Sequence, residues 1–113
     1  MCNKSKRVVV TGLGTVTPYG VGVETFWDNI KNGKSCITNK SDIYNTEVNP
    51  IKICGQFLGY EPTDYLDPKE AKRMDRSAQF AVIASDIAIK DANINEENTD
   101  SERFGVIVGC GAG

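Results

Sequence analysis

Histidine is absent from this chain of 113 residues. Without an imidazole, the usual general base near neutral pH is missing, and neither a Ser–His nor a Cys–His nucleophile can be assembled from these residues alone. The four cysteines, Cys2, Cys36, Cys54 and Cys110, contain no C-x-x-C pair. With no histidine to join them, no metal site is expected. A secretion signal is lacking too. The basic start, Met1 to Arg7, leads into only three valines, too short for the apolar region of a signal peptide. A cytoplasmic protein with free thiols is therefore expected, not a disulfide framework. Excess charge of one sign is missing: 13 basic against 15 acidic residues leave a net charge of −2. That argues against a nucleic-acid partner for the chain as a whole. No apolar run approaches the ~20 residues that span a bilayer.

What is present suits one soluble domain, or one part of a larger domain: 40% hydrophobic and 25% charged residues, with no internal repeat and no low-complexity tract. The most informative segment is the last, Phe104-Gly-Val-Ile-Val-Gly-Cys-Gly-Ala-Gly113. It is a β-branched run feeding a glycine turn with nothing after it, and it reads as the opening section of a longer protein.

Residues 7–11, with Val8, Val9 and Val10 in a row, read as a buried strand. Residues 12–20 read as a loop, and 24–32 as a short helix with Phe26, Trp27 and Ile30 on one side and Gly33 as its stop. Residues 34–49 are polar and read as irregular, and Ile51 to Phe57 as a weak strand. The best-specified element is a helix from Pro68 to about Ala92, capped by Asp67 with Glu70 completing a capping box, and stopped by Asn93. Spacing of about 100° per residue puts Ala71, Met74, Ala78, Ala81, Val82, Ser85, Ile89 and Ala92 on one side. These are mostly small, so close packing is expected against them. The opposite side begins with Lys69, Lys72, Arg73 and Arg76 and continues with Phe80, Ile83 and Ile87. Its first half is expected at a surface and its second half under other parts of the protein. Phe104 to Val108 reads as a second buried strand. Two such strands separated by helices predict an α/β unit with a parallel sheet.

Three motifs invite chemistry. Gly12-x-Gly14 follows a strand, but a dinucleotide loop needs G-x-G-x-x-G opening into a helix, and here Thr17 and Pro18 intervene. Cys110 lies between glycines, yet nothing nearby lowers a thiol pKa, so a small residue in a tight turn is the better description. The cations Lys69, Lys72, Arg73 and Arg76 share an arc of about 100° at the N-terminal end of the helix, where the dipole disfavours them. A solvated helix face and a surface for an anionic partner are both compatible with that pattern.

Arg7-Val-Val-Val-Thr-Gly-Leu-Gly-Thr-Val-Thr-Pro-Tyr-Gly20 resembles the first strand and loop of the β-ketoacyl-acyl carrier protein synthases. Phe26-Trp27, Gly33-Lys34-Ser35, Lys72-Arg73-Met74-Asp75 and Phe104-Gly-Val-Ile-Val-Gly109 are similar to later segments of that family, in order, and most resemble its synthase II branch. The likeness covers nearly the whole chain but only roughly the first quarter of such an enzyme. It implies an α/β thiolase-like fold, of which residues 1–113 would be the N-terminal portion, and a homodimer. It implies a decarboxylating Claisen condensation in fatty acid elongation, with no cofactor. The family's catalytic cysteine and two histidines would lie beyond Gly113, so no catalytic residue is assigned within this chain and Cys110 is not the nucleophile. Two roles carry over from the resemblance. Residues at the positions of Lys69, Lys72 and Arg73 contact the acidic carrier protein, with Arg76 outside that pattern. Ala112 stands where synthase II enzymes commonly have isoleucine lining the acyl pocket. Residues 1–113 alone are expected to be inactive and to expose apolar surface at Phe80, Ile83 and Ile87. A synthase I, a polyketide chain-length factor, a non-catalytic carrier-protein docking module and a nucleotide-binding α/β protein are the competing identities.

Overall fold

A computed structural model describes residues 6–39 and 50–111 of the chain. Ala112, assigned above to an acyl pocket, lies outside the described residues.

The first elements form a tight hairpin, β1 (Val16–Thr17) against β2 (Gly20–Val21), within what the sequence suggested was only a loop. Thr17 closes the turn: its hydroxyl donates to the Gly20 carbonyl at 3.3 Å and accepts from the Tyr19 N–H at 3.2 Å. Helix α1 (Val23–Lys31) follows as expected. Gly33 takes φ 65°, and the N–H groups of Gly33 and Lys34 close back on the Ile30 and Asn29 carbonyls, a Schellman stop. Trp27 and Ile30 remain exposed on this helix.

Strand β3 (Ile37–Asn39) pairs antiparallel with β4 (Ile53–Gly55), in the register Ile37↔Gly55, Thr38↔Cys54, Asn39↔Ile53. The weak strand expected over 51–57 thus exists. Its partner lies in a stretch expected to be irregular, because a short polar strand such as Ile-Thr-Asn carries no alternation to reveal it.

The long helix is two helices. α2 (Pro68–Ala71) is capped by Asp67, whose carboxylate accepts from the N–H groups of Lys69 at 2.8 Å and Glu70 at 3.4 Å. The chain then leaves the helix and re-enters it at α3 (Arg76–Asp91), where the Asp75 carboxylate accepts from the Ala78 N–H at 2.8 Å. α3 ends as expected: Asn93 adopts φ 53°, and Ile94 N–H closes on the Ile89 carbonyl.

Two expected strands do not form. Residues 7–11 and 104–108 carry no strand pairing, and Val8 and Ile107 are 93% and 100% exposed. A run of valine and isoleucine supplies a reason for burial. A strand also needs a partner for its N–H and C=O groups, and none lies against these segments among the described residues. The parallel sheet expected from them is accordingly not present there. Both segments nevertheless approach one side of α3. Thr11, Gly12, Phe104 and Val106 line a cleft of about 210 Å³ with Ser85, Ile89 and Ala92.

The close packing expected on the small-residue side falls partly elsewhere. Gly12 and Gly14 press on the stripe Ala84, Ala88, Ala92, while Val82 is 45% exposed. The packed stripe is turned around α3 from the projected face, toward the side on which Gly12 and Gly14 lie. Phe80, Ile83 and Ile87, expected to be exposed, are covered or partly covered instead, and Ile83 is only 4% exposed. Phe80 packs edge-on against Tyr60, with ring centroids 4.9 Å apart, and Phe57 and Tyr65 complete the aromatic cluster.

Candidate functional site

The helix break presents the basic residues. Lys69 is in the first turn of α2, Lys72 caps its C-terminus, and Arg73 follows in the turn; all three are exposed. The ion pairs formed among the described residues are Lys31–Asp28 and Lys90–Asp86, so neither pair neutralises this turn. Lys72 and Arg73 stand between the carbonyl end of the four-residue α2, which favours cations, and the N-terminus of the longer α3, which disfavours them.

Arg76 is drawn away from the other three. Its guanidinium donates to the Phe57 carbonyl at 2.9 Å and lies 5.3 Å from the ring centres of both Tyr60 and Phe80. It forms part of the wall of a cleft of about 600 Å³ that runs between the β1–β2 turn, residues 54–60 and α3. The four cations therefore do not share one arc. The break separates an exposed group, Lys69, Lys72 and Arg73, from a cation stacked on aromatic rings.

Sequence reasoning missed Gln79, which is buried at 7% exposure. Its side-chain amide nitrogen donates to the Ala71 carbonyl at 2.9 Å and the Met74 carbonyl at 3.3 Å. Its oxygen accepts from the Tyr60 hydroxyl at 3.0 Å. Burial pushes the Tyr60 phenol above its ordinary pKa, with Arg76 opposing, so the hydroxyl keeps its proton at neutral pH and remains a donor. A signal existed in the sequence: a glutamine inside the apolar stretch Ala78-Gln79-Phe80-Ala81-Val82-Ile83 needs buried partners.

The Cys110 thiol lies 3.5 Å from the Ser77 hydroxyl. The chain has no histidine to serve it as a base. No group of three or more metal-ligating side chains occurs among the described residues. None of the described helices is long and apolar enough to cross a membrane.

Comparison with known proteins gives a consistent result. The family described as Beta-ketoacyl synthase, N-terminal domain, matches residues 5–113. The 3-oxoacyl-[acyl-carrier-protein] synthase 2 of Staphylococcus aureus (strain N315) is 37% identical over 111 residues, covering 98% of this chain and 27% of the relative. The protein of the same name from Synechocystis sp. is 37% identical over 110 residues, 97% of this chain and 26% of the relative. The chain thus spans about a quarter of the length of these relatives. Among solved structures, the ishigamide ketosynthase/chain length factor superposes with a TM-score of 0.66 at 27% identity, over 82% of this chain and 23% of that one. A β-ketoacyl synthase from Burkholderia phymatum STM815 gives 0.65 at 26% identity, over 87% and 24%.

Proposed function

The chain belongs to the β-ketoacyl synthase family, and from that premise we propose that the protein carrying it is a 3-oxoacyl-acyl carrier protein synthase of the synthase II type. The observation that carries this is the 37% identity, across 98% of the chain, to a relative bearing that name. The reaction is a decarboxylating Claisen condensation. An acyl group passes by thioester exchange from carrier protein to an enzyme cysteine. Malonyl-carrier protein then loses carbon dioxide, and the resulting carbanion attacks the acyl thioester, expelling the cysteine thiolate. With no histidine to supply a base, residues 1–113 contribute docking and scaffold, and we assign them no condensing activity of their own. They form the N-terminal part of a thiolase-like domain in a cytoplasmic homodimer.

Lys69, Lys72 and Arg73 are assigned to docking of the acidic carrier protein. Their support is exposure without a described ion pair, on a turn capped by Asp67. Charge complementarity of this kind chiefly speeds and orients encounter. Ala112 is assigned to the acyl pocket, where replacing the usual isoleucine opens space for a longer or branched chain.

The test is elongation of an acyl-carrier protein with malonyl-carrier protein by the protein that carries this sequence, following 3-oxoacyl product and carbon dioxide. Charge reversal of Lys69, Lys72 and Arg73 to Glu should raise KM for carrier protein at least tenfold, with little change in kcat. Unchanged KM removes the docking assignment. A second reading, a polyketide chain-length factor, is favoured by the likeness to the ishigamide ketosynthase/chain length factor. A protein that promotes no condensation and lacks the nucleophilic cysteine supports that reading.

A further inference from the structure

The turn that presents Lys72 and Arg73 is not self-supporting. A helix of four residues cannot hold its shape alone, because nucleation costs more than one turn of hydrogen bonds returns. Its geometry must come from ties to the rest of the chain. At its far end, that tie is Gln79. The two carbonyls that accept from the Gln79 amide belong to Ala71, immediately before Lys72, and Met74, immediately after Arg73. Tyr60, on a separate segment, fixes the amide through its oxygen.

We infer that Gln79, held by Tyr60, is a positioning residue for carrier-protein docking: its amide brackets Lys72–Arg73 and sets where the two cations are presented. This rests on the docking role proposed above. The chemistry is specific to a carboxamide. It donates two hydrogens and accepts on one oxygen from the same planar group, whereas a carboxylate would face two carbonyl oxygens with no proton to give. Ala71 is only 6% exposed, so losing the bond at its carbonyl leaves a largely buried acceptor to be satisfied. Lys72 and Arg73 have long side chains that can reorient, but their Cα positions and directions follow the backbone that Gln79 holds.

The experiment measures binding of the acidic carrier protein, and KM and kcat, for the full protein carrying this sequence. Three variants are compared: Gln79→Met, Tyr60→Phe, and Lys72→Glu with Arg73→Glu. Gln79→Met keeps the side-chain length and removes every polar contact. Tyr60→Phe keeps the ring and removes one hydroxyl. The expected result is a rise in Kd and KM of about fivefold for Gln79→Met and about threefold for Tyr60→Phe, the scale of one hydrogen bond's net worth. kcat should be unchanged, and so should the slope of log Kd against log salt, because no charge is lost. Backbone amide exchange at residues 72–75 should speed up in both variants. The charge-reversed variant should weaken binding and flatten the salt dependence. Wild-type Kd in Gln79→Met, with charge reversal still harmful, overturns the positioning role and leaves the docking role standing. Wild-type Kd after charge reversal overturns both. If Gln79→Met fails to fold, Tyr60→Phe decides: wild-type Kd and wild-type exchange at 72–75 overturn the inference.

Discussion

The Leu13 N–H donates to the Asp91 carboxylate at 2.9 Å, joining two segments 78 positions apart. The glycines on either side explain how the backbone comes so near. A Cβ at Gly14 would strike the Ala84 carbonyl oxygen and lie 2.8 Å from the Ala88 nitrogen. A Cβ at Gly12 would strike the Ala88 carbonyl oxygen and lie 2.6 Å from the Ala92 nitrogen. Gly12-Leu13-Gly14 is therefore a packing device. Its glycines let the chain lie directly on helix α3, and the Asp91 bond anchors it there. This accounts for a glycine pair that resembles half of a nucleotide-binding motif.

Gly14→Ala should destabilise the protein by about 2 kcal/mol or more, since the obstacle is helix backbone, not a side chain that can turn aside. Gly105→Ala is the control. A Cβ there meets nothing within 4 Å, and the cost should be under about 0.5 kcal/mol. Urea unfolding of the two variants side by side reads the difference. Equal midpoints would mean that Gly14 does not touch α3 in solution.

Asp75 gives a pH dependence of known sign. Hydrogen bonds from the Ala78 N–H and then from Ser77 hold its carboxyl below the ordinary aspartate pKa. A depressed folded-state pKa means stabilisation that is complete above the unfolded-state value and is lost as pH falls through the lower, folded-state value. Acid should thus loosen the start of α3 first. Asparagine caps about as well as aspartate and does not titrate. Asp75→Asn should match the wild type at neutral pH and lose that part of the acid sensitivity. Circular dichroism against pH checks it, and parallel acid curves for the two proteins would contradict it.

Much of the fold's punctuation was legible, and the reason is local. Asp67, Pro68, Gly33 and Asn93 act through their own backbone neighbourhoods, so their effects can be read in sequence order. The break at 72–75 was missed although Asp75, a preferred N-cap residue, marks the restart of the helix. At that break a buried amide eight positions from Ala71 donates to the Ala71 and Met74 carbonyls, and a hydroxyl nineteen positions before the amide donates to its oxygen. The same break misdirected the projection of the cations onto a single face. The strands at 7–11 and 104–108 were misread for another reason: their composition states that they should be covered and is silent on what pairs with them. Of the candidate site, Lys69, Lys72 and Arg73 are proposed from their charge and from the family resemblance. The separation of Arg76 required knowing where Tyr60 and Phe80 lie.

That separation makes a prediction of its own. Arg76 stacks on two rings and donates to Phe57, so its contribution is to packing. Arg76→Gln should cost about 1 kcal/mol of stability, from an exposed cation–π contact and one hydrogen bond. It should change carrier-protein affinity less than twofold, against tenfold or more for reversal of Lys69, Lys72 and Arg73. Melting curves and binding titrations on the same variant distinguish the two effects. A large affinity loss at unchanged stability would place Arg76 among the docking residues.

The final prediction concerns the surface left by the unpaired segments. Val8, Val9, Val10, Val106, Ile107 and Val108 are each at least 60% exposed, and both runs carry unpaired backbone. Exposed β-branched residues beside free N–H and C=O groups form an edge that accepts another strand. Residues 1–113 produced alone should therefore self-associate, with sedimentation velocity showing species heavier than the 12.3 kDa monomer that grow with concentration. Replacing Val9 and Ile107 with Lys should shift the distribution toward monomer without loss of helix, because neither side chain packs on α3 in its present position. A wild-type chain that sediments as a single 12.3 kDa species and melts cooperatively would show that these segments are covered from within the chain.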